Sequence, residues 1–504
     1  MTGGHEVNTG RQPNNIVPTI GIREQTAAAR TFQTVSAAIR MSSIAILLLI
    51  LFHGVRAAAT DRQGQSAARP CAFSDAPFDT ATNVHALDEY YNAISQLLKE
   101  EQFVELDCLA DAARAGKTRF SGGAWKLRQF YVGLESPRPG HPTQEDWRHH
   151  LDLVDRWKHK NPRSVTAPIV LAESYINYAW DARGDGYSDS VSDSGWKLFG
   201  ERISKAKAIL DQAAPAKCPD WYVAMQKVAR GQSWDLPQHY VLLQQAIAFE
   251  PGYQYYYRIH TDYLQPKWSG EEGDPARFAE ESANRVKGDA GDILYFQIAE
   301  AILCACKESE FGHFSWPRLQ KGFTALEKQY GTSMISVNSF ALMASKSGDW
   351  QVADPAFKRI GDNWNEELWT SEAWFKQNRD TAAGAAPMQA RARATRKEAE
   401  ENMQTPEGQT YRRELEQKLT GYEQTCLKES NGDAHKFEFF VQVGKNGSAE
   451  NAQTETRPDG FAFCLMRTLY LSYTNKETPL PVPPHDGYWV LVELDPATLA
   501  ASAK

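Results

Sequence analysis

The chain has 504 residues, 42% of them hydrophobic and 23% charged, with a formal net charge of −8. That length favours two or three folded units over a single core, and the composition excludes wholesale disorder and collagen-like repetition. The negative balance argues against nucleic-acid partners, because phosphate binding rests on clustered Lys and Arg that release counterions.

The apolar run Ile44 to Phe52 is too short to cross a bilayer core of about 30 Å as a helix. Followed by Ala57-Ala58-Ala59 and preceded by Arg23, Arg30 and Arg40, it reads as a secretory signal cleaved near Ala59. The expectation is therefore a periplasmic or secreted protein with no stable membrane span in the mature chain. The late start of the run leaves translation beginning at Met1 or nearer Met41, and a buried core helix is the alternative reading. Seven cysteines follow the cleavage point, an odd number, so at least one stays unpaired in an oxidising compartment. Cys304 and Cys306 sit two apart in a helix-like segment and point to different faces. Absence of any C-x-x-C weakens redox-enzyme and zinc readings.

Residues 60–85 read as an extended segment, and residues 86–375 as a helical-repeat domain with apolar spacings of three and four. Ile169, Ala172, Ile176 and Ala179 form one stripe; Phe199, Ile203, Ala206 and Leu210 form another. Between them a Gly-, Ser- and Asp-rich stretch is loop chemistry. Further on, Ala341, Ala344, Gly348, Asp349, Ala353 and Phe357 resemble the helix-turn-helix pattern of tetratricopeptide repeats. Spacing is too variable for a strict period, so the expected fold is mainly α: an irregular tetratricopeptide-like α-solenoid of helical hairpins. Pro355 is expected to kink its helix or delay its start.

Four stretches carry a resemblance to the bacterial domain of unknown function numbered 4034: "ALDEYYNAISQLLKEEQFVELD" from Ala86, "SVTAPIVLAESYINYAWDARGDGY" from Ser164, "GWKLFGERISKAKAIL" from Gly195, and "EPGYQYYYRIHTDYLQPKWSGEEGD" from Glu250. The resemblance implies a bacterial source and hence the periplasm, and no activity.

Residues 376–425 read as a linker with charged helices, "TAAGAAP" from Thr381 to Pro387 being a flexible joint. The basic cluster Arg391 to Lys397 runs straight into acidic residues, a solvated helix face. Over residues 426–498 the period changes to two. "KFEFFVQV" and "YWVLVEL" are strands, "GKNG" is a hairpin turn, and Phe461, Leu465 and Leu469 mark a helix between them, giving a small α+β (β-α-β) C-terminal domain. The order of Cys464, helix, "PLPVPP" and strand resembles the C-terminal domain of TonB energy transducers. That resemblance implies an interaction module in which an edge strand accepts a partner segment, with Tyr488, Trp489, Val490 and Val492 as binding residues. Pro483 and Pro484 donate no hydrogen bond and so set where the strand begins. Cys426 and Cys464 are expected to pair, two buried thiols being the alternative.

Candidate chemistry is sparse. "DAARAGKT" from Asp111 lacks the first glycine of a phosphate-binding loop and reads as helix. His149, His150, Asp152 and Asp155 lack metal-ligand spacing, and Asp181, Asp185, Asp189 and Asp193 lie four apart instead of at the alternate positions a calcium loop needs. No metal and no cofactor is implied. Arg183 and Asp185 of that loop are kept as candidate binding residues. In "PKWSGEEGD", Trp268 beside Glu271, Glu272 and Asp274 combines an aromatic platform with carboxylates, the composition of carbohydrate-processing sites, although consecutive glutamates need not converge. The leading expectation is an exported, non-enzymatic adaptor or scaffold that binds a protein or peptide partner in the cell envelope. An envelope glycan hydrolase using the residue 266–274 loop is one alternative. A small-ligand sensor whose pocket is lined by the aromatic helix Tyr255 to Tyr263 is the other.

Overall fold

Apolar stripes at helical spacing become buried seams. In the computed structural model, Ile169, Ala172, Ile176 and Ala179 lie on helix α5 (Thr166–Arg183), and Phe199, Ile203, Ala206 and Leu210 on α6 (Asp193–Gln212). All eight are buried, and the two helices pack as a hairpin. Each large aliphatic side chain removed from water in this way contributes about 1.5–3 kcal/mol. The structure describes residues 71–494 apart from 139, 141, 185, 187, 214–216, 303–310, 430–435, 454–459 and 476–479. The signal-like segment, Asp185, Cys304 and Cys306 thus lie outside the described residues.

Before α5 come α1 (Ala86–Lys99), α2 (Phe103–Gly116), α3 (Lys126–Val132) and α4 (Gln144–Lys160). A reciprocal capping box starts α4, Thr143 Oγ1 accepting from Asp146 N at 3.2 Å and Asp146 Oδ2 from Thr143 N at 2.8 Å. After α6 come α7 (Pro219–Gly231), α8 (Leu236–Phe249), α9 (Tyr255–Tyr263), α10 (Asp274–Val286), α11 (Gly288–Ile302), α12 (Trp316–Tyr330), α13 (Met334–Lys346), α14 (Trp350–Ile360) and the short α15 (Glu366–Trp369). Two apolar cores run through this stack. One joins α1 to α8 and the other continues from α7 to the following helices. The segment Asp111–Gly116 is helical, as a phosphate loop is not. Pro355 does not delay α14, which begins at Trp350 and carries the proline inside it. Proline this near a helix start forfeits one hydrogen bond, and burial of Ala353, Ala356, Phe357 and Ile360 offsets that loss.

The expected flexible joint at Thr381–Pro387 is corrected by the structure, where it lies inside the unbroken helix α16 (Glu372–Met403). Alanine is the strongest helix former, and Ala382 and Ala386 are buried, so the segment gains from staying helical. Near its start α16 buries Phe375 in the repeat core, and farther on Gln389 Nε2 donates to Gly348 O at 2.9 Å while Arg393 pairs with Asp349 at 2.8 Å. Its last turns cover one face of the terminal sheet.

That sheet has three antiparallel strands in the order β2-β1-β3: β1 (Phe437–Val443), β2 (Ala449–Gln453) and β3 (Tyr488–Leu494). Helix α17 (Pro406–Glu429) precedes it and α18 (Gly460–Asn475) lies between β2 and β3 in sequence. The expected β-α-β order is thus completed as β-β-α-β. Alternation sends Phe439, Val441, Val490 and Val492 toward α17 and α18, and Phe440, Trp489 and Leu491 toward Ala399 and Met403 of α16. Cys426 and Cys464 are bonded, 2.03 Å between sulfurs, joining α17 to α18; Cys71 and Cys108 are bonded at 2.00 Å. Cys218 is a buried free thiol. No helix among the described residues is long and apolar enough to cross a membrane.

Candidate functional site

Chain positions far apart in sequence meet around a cleft of about 590 Å³. Its walls come from α1, α3, α7, α9, α11, α13 and α15. Closure depends on the tight turn Ser121–Gly123. Gly122 has φ +78°, and a Cβ there would fall 2.3 Å from Ser333 Cβ, so only glycine lets the turn lie against the start of α13. Gly122 N donates to Gly331 O at 3.1 Å and Met334 N to Thr80 O at 2.9 Å, drawing the first hairpins onto the later ones.

Beneath the cleft lies a cluster of five charges. Arg128 of α3 donates to Glu135 (2.6 Å), to Glu173 of α5 (3.1 Å) and to Asp220 of α7 (3.1 Å). Lys227 of α7 meets Glu173 at 2.6 Å and Glu135 at 3.1 Å, and Tyr253 OH donates to Asp220 Oδ2 at 2.6 Å. Burial acts to raise the Glu135 carboxyl, but Lys227 and Arg128 outweigh it and hold it down at about 2. At Asp220 burial wins over Arg128 and Tyr253, and its carboxyl is pushed up. Arg128 is disfavoured by burial, yet its three carboxylates hold it well above its ordinary value. Arg128 and Lys227 themselves reach the cleft surface.

Above this floor the lining is rich in amides and hydroxyls. Tyr91 OH donates to Gln129 Oε1, and Gln129 Nε2 donates to Tyr255 OH at 2.7 Å. Gln297, Ser336 and Ser339 line the cleft at 4%, 5% and 4% exposure. Among the described residues their side chains make no hydrogen bond to protein. The residues are nearly buried while their polar atoms stay open to the cleft, free to meet a polar ligand there.

The expected site residues sit elsewhere. Trp268 packs edge-on against Trp180 at 5.9 Å, and the Arg230 guanidinium lies 5.3 Å from its ring, so it offers no open platform. Asp274 accepts from Glu271 N at 2.9 Å and pairs with Arg277; Glu272 faces His313 at 3.3 Å; Glu271 is exposed. These three carboxylates line none of the described clefts. Arg183 is occupied locally, donating to Gly184 O and Gly186 O at 3.0 and 2.9 Å and stacking over Trp180 and Trp196. Side chains of Tyr488, Trp489, Val490 and Val492 are buried in the sheet packing, and Asn402 Nδ2 of α16 donates to Trp489 O at 2.8 Å. A partner at β3 would therefore meet backbone alone. The aromatic helix of the sensor reading does line the cleft, through Tyr255, Arg258, Ile259 and Asp262. No cluster of metal-ligating residues occurs among the described residues.

Residues missed by the sequence reading were visible as misfits. Glu173 interrupts the apolar helix "APIVLAESYINYAW", and Arg128 and Gln129 sit amid Leu127, Phe130 and Tyr131, all buried. A charge on a core-facing helix position needs a partner, and that need points to the network. Comparison with known proteins finds no match: no family model, no curated protein and no solved structure is similar to this chain.

Proposed function

We propose that the protein is an exported, non-enzymatic adaptor that holds a protein or peptide segment in the cleft between its helical hairpins. The observation that carries this reading is the set of nearly buried, unpaired polar side chains, Gln297, Ser336 and Ser339, on the wall of a cavity of about 590 Å³. Side-chain amides and hydroxyls offer donors and acceptors together, the pattern a peptide main chain requires. The charged floor supports binding over chemistry, because each of its carboxylates is tied to a cation or a tyrosine. Export accords with two disulfides, which persist in oxidising compartments. Kinship with the unknown-function family 4034, and a TonB-like interaction role for the C-terminal sheet, belong to the same proposal.

The test is binding of the full chain to an array of short random-sequence peptides, repeated with Ala301→Trp. Ala301 is exposed and lines the cleft, so tryptophan fills the space without disturbing a core. The reading expects selective binding that this variant abolishes at unchanged melting temperature. Binding indifferent to the variant, or no peptide binding, contradicts it.

A further inference from the structure

Two residues lining the cleft each leave a buried oxygen without a donor. Gln254, 3% exposed at the start of α9, donates from Nε2 to Gly123 O at 3.2 Å. That contact fixes the amide, since turning it round would set two oxygens together. Its Oε1 is left buried without a donor. On α11, Glu300 lies one turn beyond Gln297 and likewise leaves Oε1 buried and unpaired. Both orphaned groups are acceptors, and an occupant that brings donors to them satisfies both.

Charge points the same way. Arg128 and Lys227 are held by three carboxylates, and Asp262 is held by Arg230 and Lys267. Glu300 and Glu367, both lining the cleft, have no cationic partner among the described residues; Arg258 is a lining cation without a carboxylate, and its guanidinium lies over Tyr255 at 5.7 Å. A sugar ligand would want open aromatic faces, whereas Arg138 covers Tyr91 at 4.7 Å and Arg258 covers Tyr255.

Resting on the proposed peptide-binding function, we infer that the cleft selects a basic segment, seating a Lys or Arg side chain against Gln254 Oε1 and Glu300. Those side chains carry donors and no acceptors, the complement of the two orphaned oxygens. The experiment sorts the peptides retained by the full chain, then compares a retained lysine peptide with its acetyl-lysine form and with binding to Glu300→Gln. Enrichment of Lys and Arg is expected, with acetylation and Glu300→Gln each weakening binding about tenfold or more. Melting of Glu300→Gln checks its fold, and Glu367→Gln on the exposed rim gives a smaller loss in the same direction. Peptides retained without basic enrichment, or bound equally by Glu300→Gln, overturn the inference while leaving peptide binding intact. Acidic peptides lost with Arg258→Gln overturn it in favour of the opposite charge, and no retained peptide overturns both.

Discussion

His239 of α8 and His260 of α9 meet Nδ1 to Nδ1 at 2.8 Å, with Tyr263 stacked on His239 at 4.4 Å and Phe278 tilted against His260 at 4.8 Å between ring centres. Burial, reinforced by Arg230, lowers His239 to about 4; burial, reinforced by His239, lowers His260 to about 3. Both therefore bind fewer protons folded than unfolded. Their contribution is fully present above the unfolded value near 6.5 and is lost as pH falls through that value toward the folded ones, by about 3 kcal/mol for His239 alone. Urea midpoints should drop steadily from pH 6.5 to 4, with a shallower slope in His260→Gln; an unchanged slope would show that folding does not hold His260 below its ordinary value. The charged floor gives a second expectation. Arg128→Met leaves Glu135 and Glu173 with Lys227 alone and Asp220 with Tyr253 alone, and should cost about 3–5 kcal/mol by denaturant unfolding. A loss below about 1 kcal/mol would show that the network is solvated.

At the scale of elements, glycines separate the continuous helix α16 from a joint. Gly384 has open space where a Cβ would stand, so Gly384→Ala should stabilise by about 0.5–1 kcal/mol if residues 381–387 are helical, and leave stability unchanged if they are a loop. Gly322 of α12 is the contrast: a Cβ there would lie 2.2 Å from Asp292 O of α11, and Gly322→Ala should lower the melting temperature by several degrees. Helical seams such as Ile169–Ala179 were legible in the sequence because one period places all four residues on one face. Glycine and proline make Thr381–Pro387 look like a joint, whereas four alanines, two of them buried, decide for helix. Strand β2, "AENAQ", carries no alternating apolar residues and forms by hairpin pairing to β1, a tertiary cause that local pattern does not record.

The whole molecule brings the cleft into being through long-range closure, which is why its lining was not legible residue by residue. Leu87, Gln129, Gln254, Gln297, Ser339 and Glu367 are unremarkable in their own stretches and share a wall only once the turn at Gly122 docks on Ser333. The aromatic helix beginning at Tyr255 was the one part of that wall flagged in advance. At the other end, the Cys426–Cys464 bond closes a sequence separation of 38, and Cys426→Ser with Cys464→Ser should destabilise the terminal sheet by about 4 kcal/mol on the chain-entropy account. Protection of β1 amides from hydrogen exchange should fall while α5 amides keep theirs. The central claim, that the cleft is where a partner is held, is tested most directly by photocrosslinking in intact cells from Ile259 on the cleft wall, with Val104, 78% exposed and away from the cleft, as the comparison. The account predicts a reproducible set of peptide segments captured at Ile259 and absent at Val104. Equal capture at both positions, or none at Ile259, would contradict it.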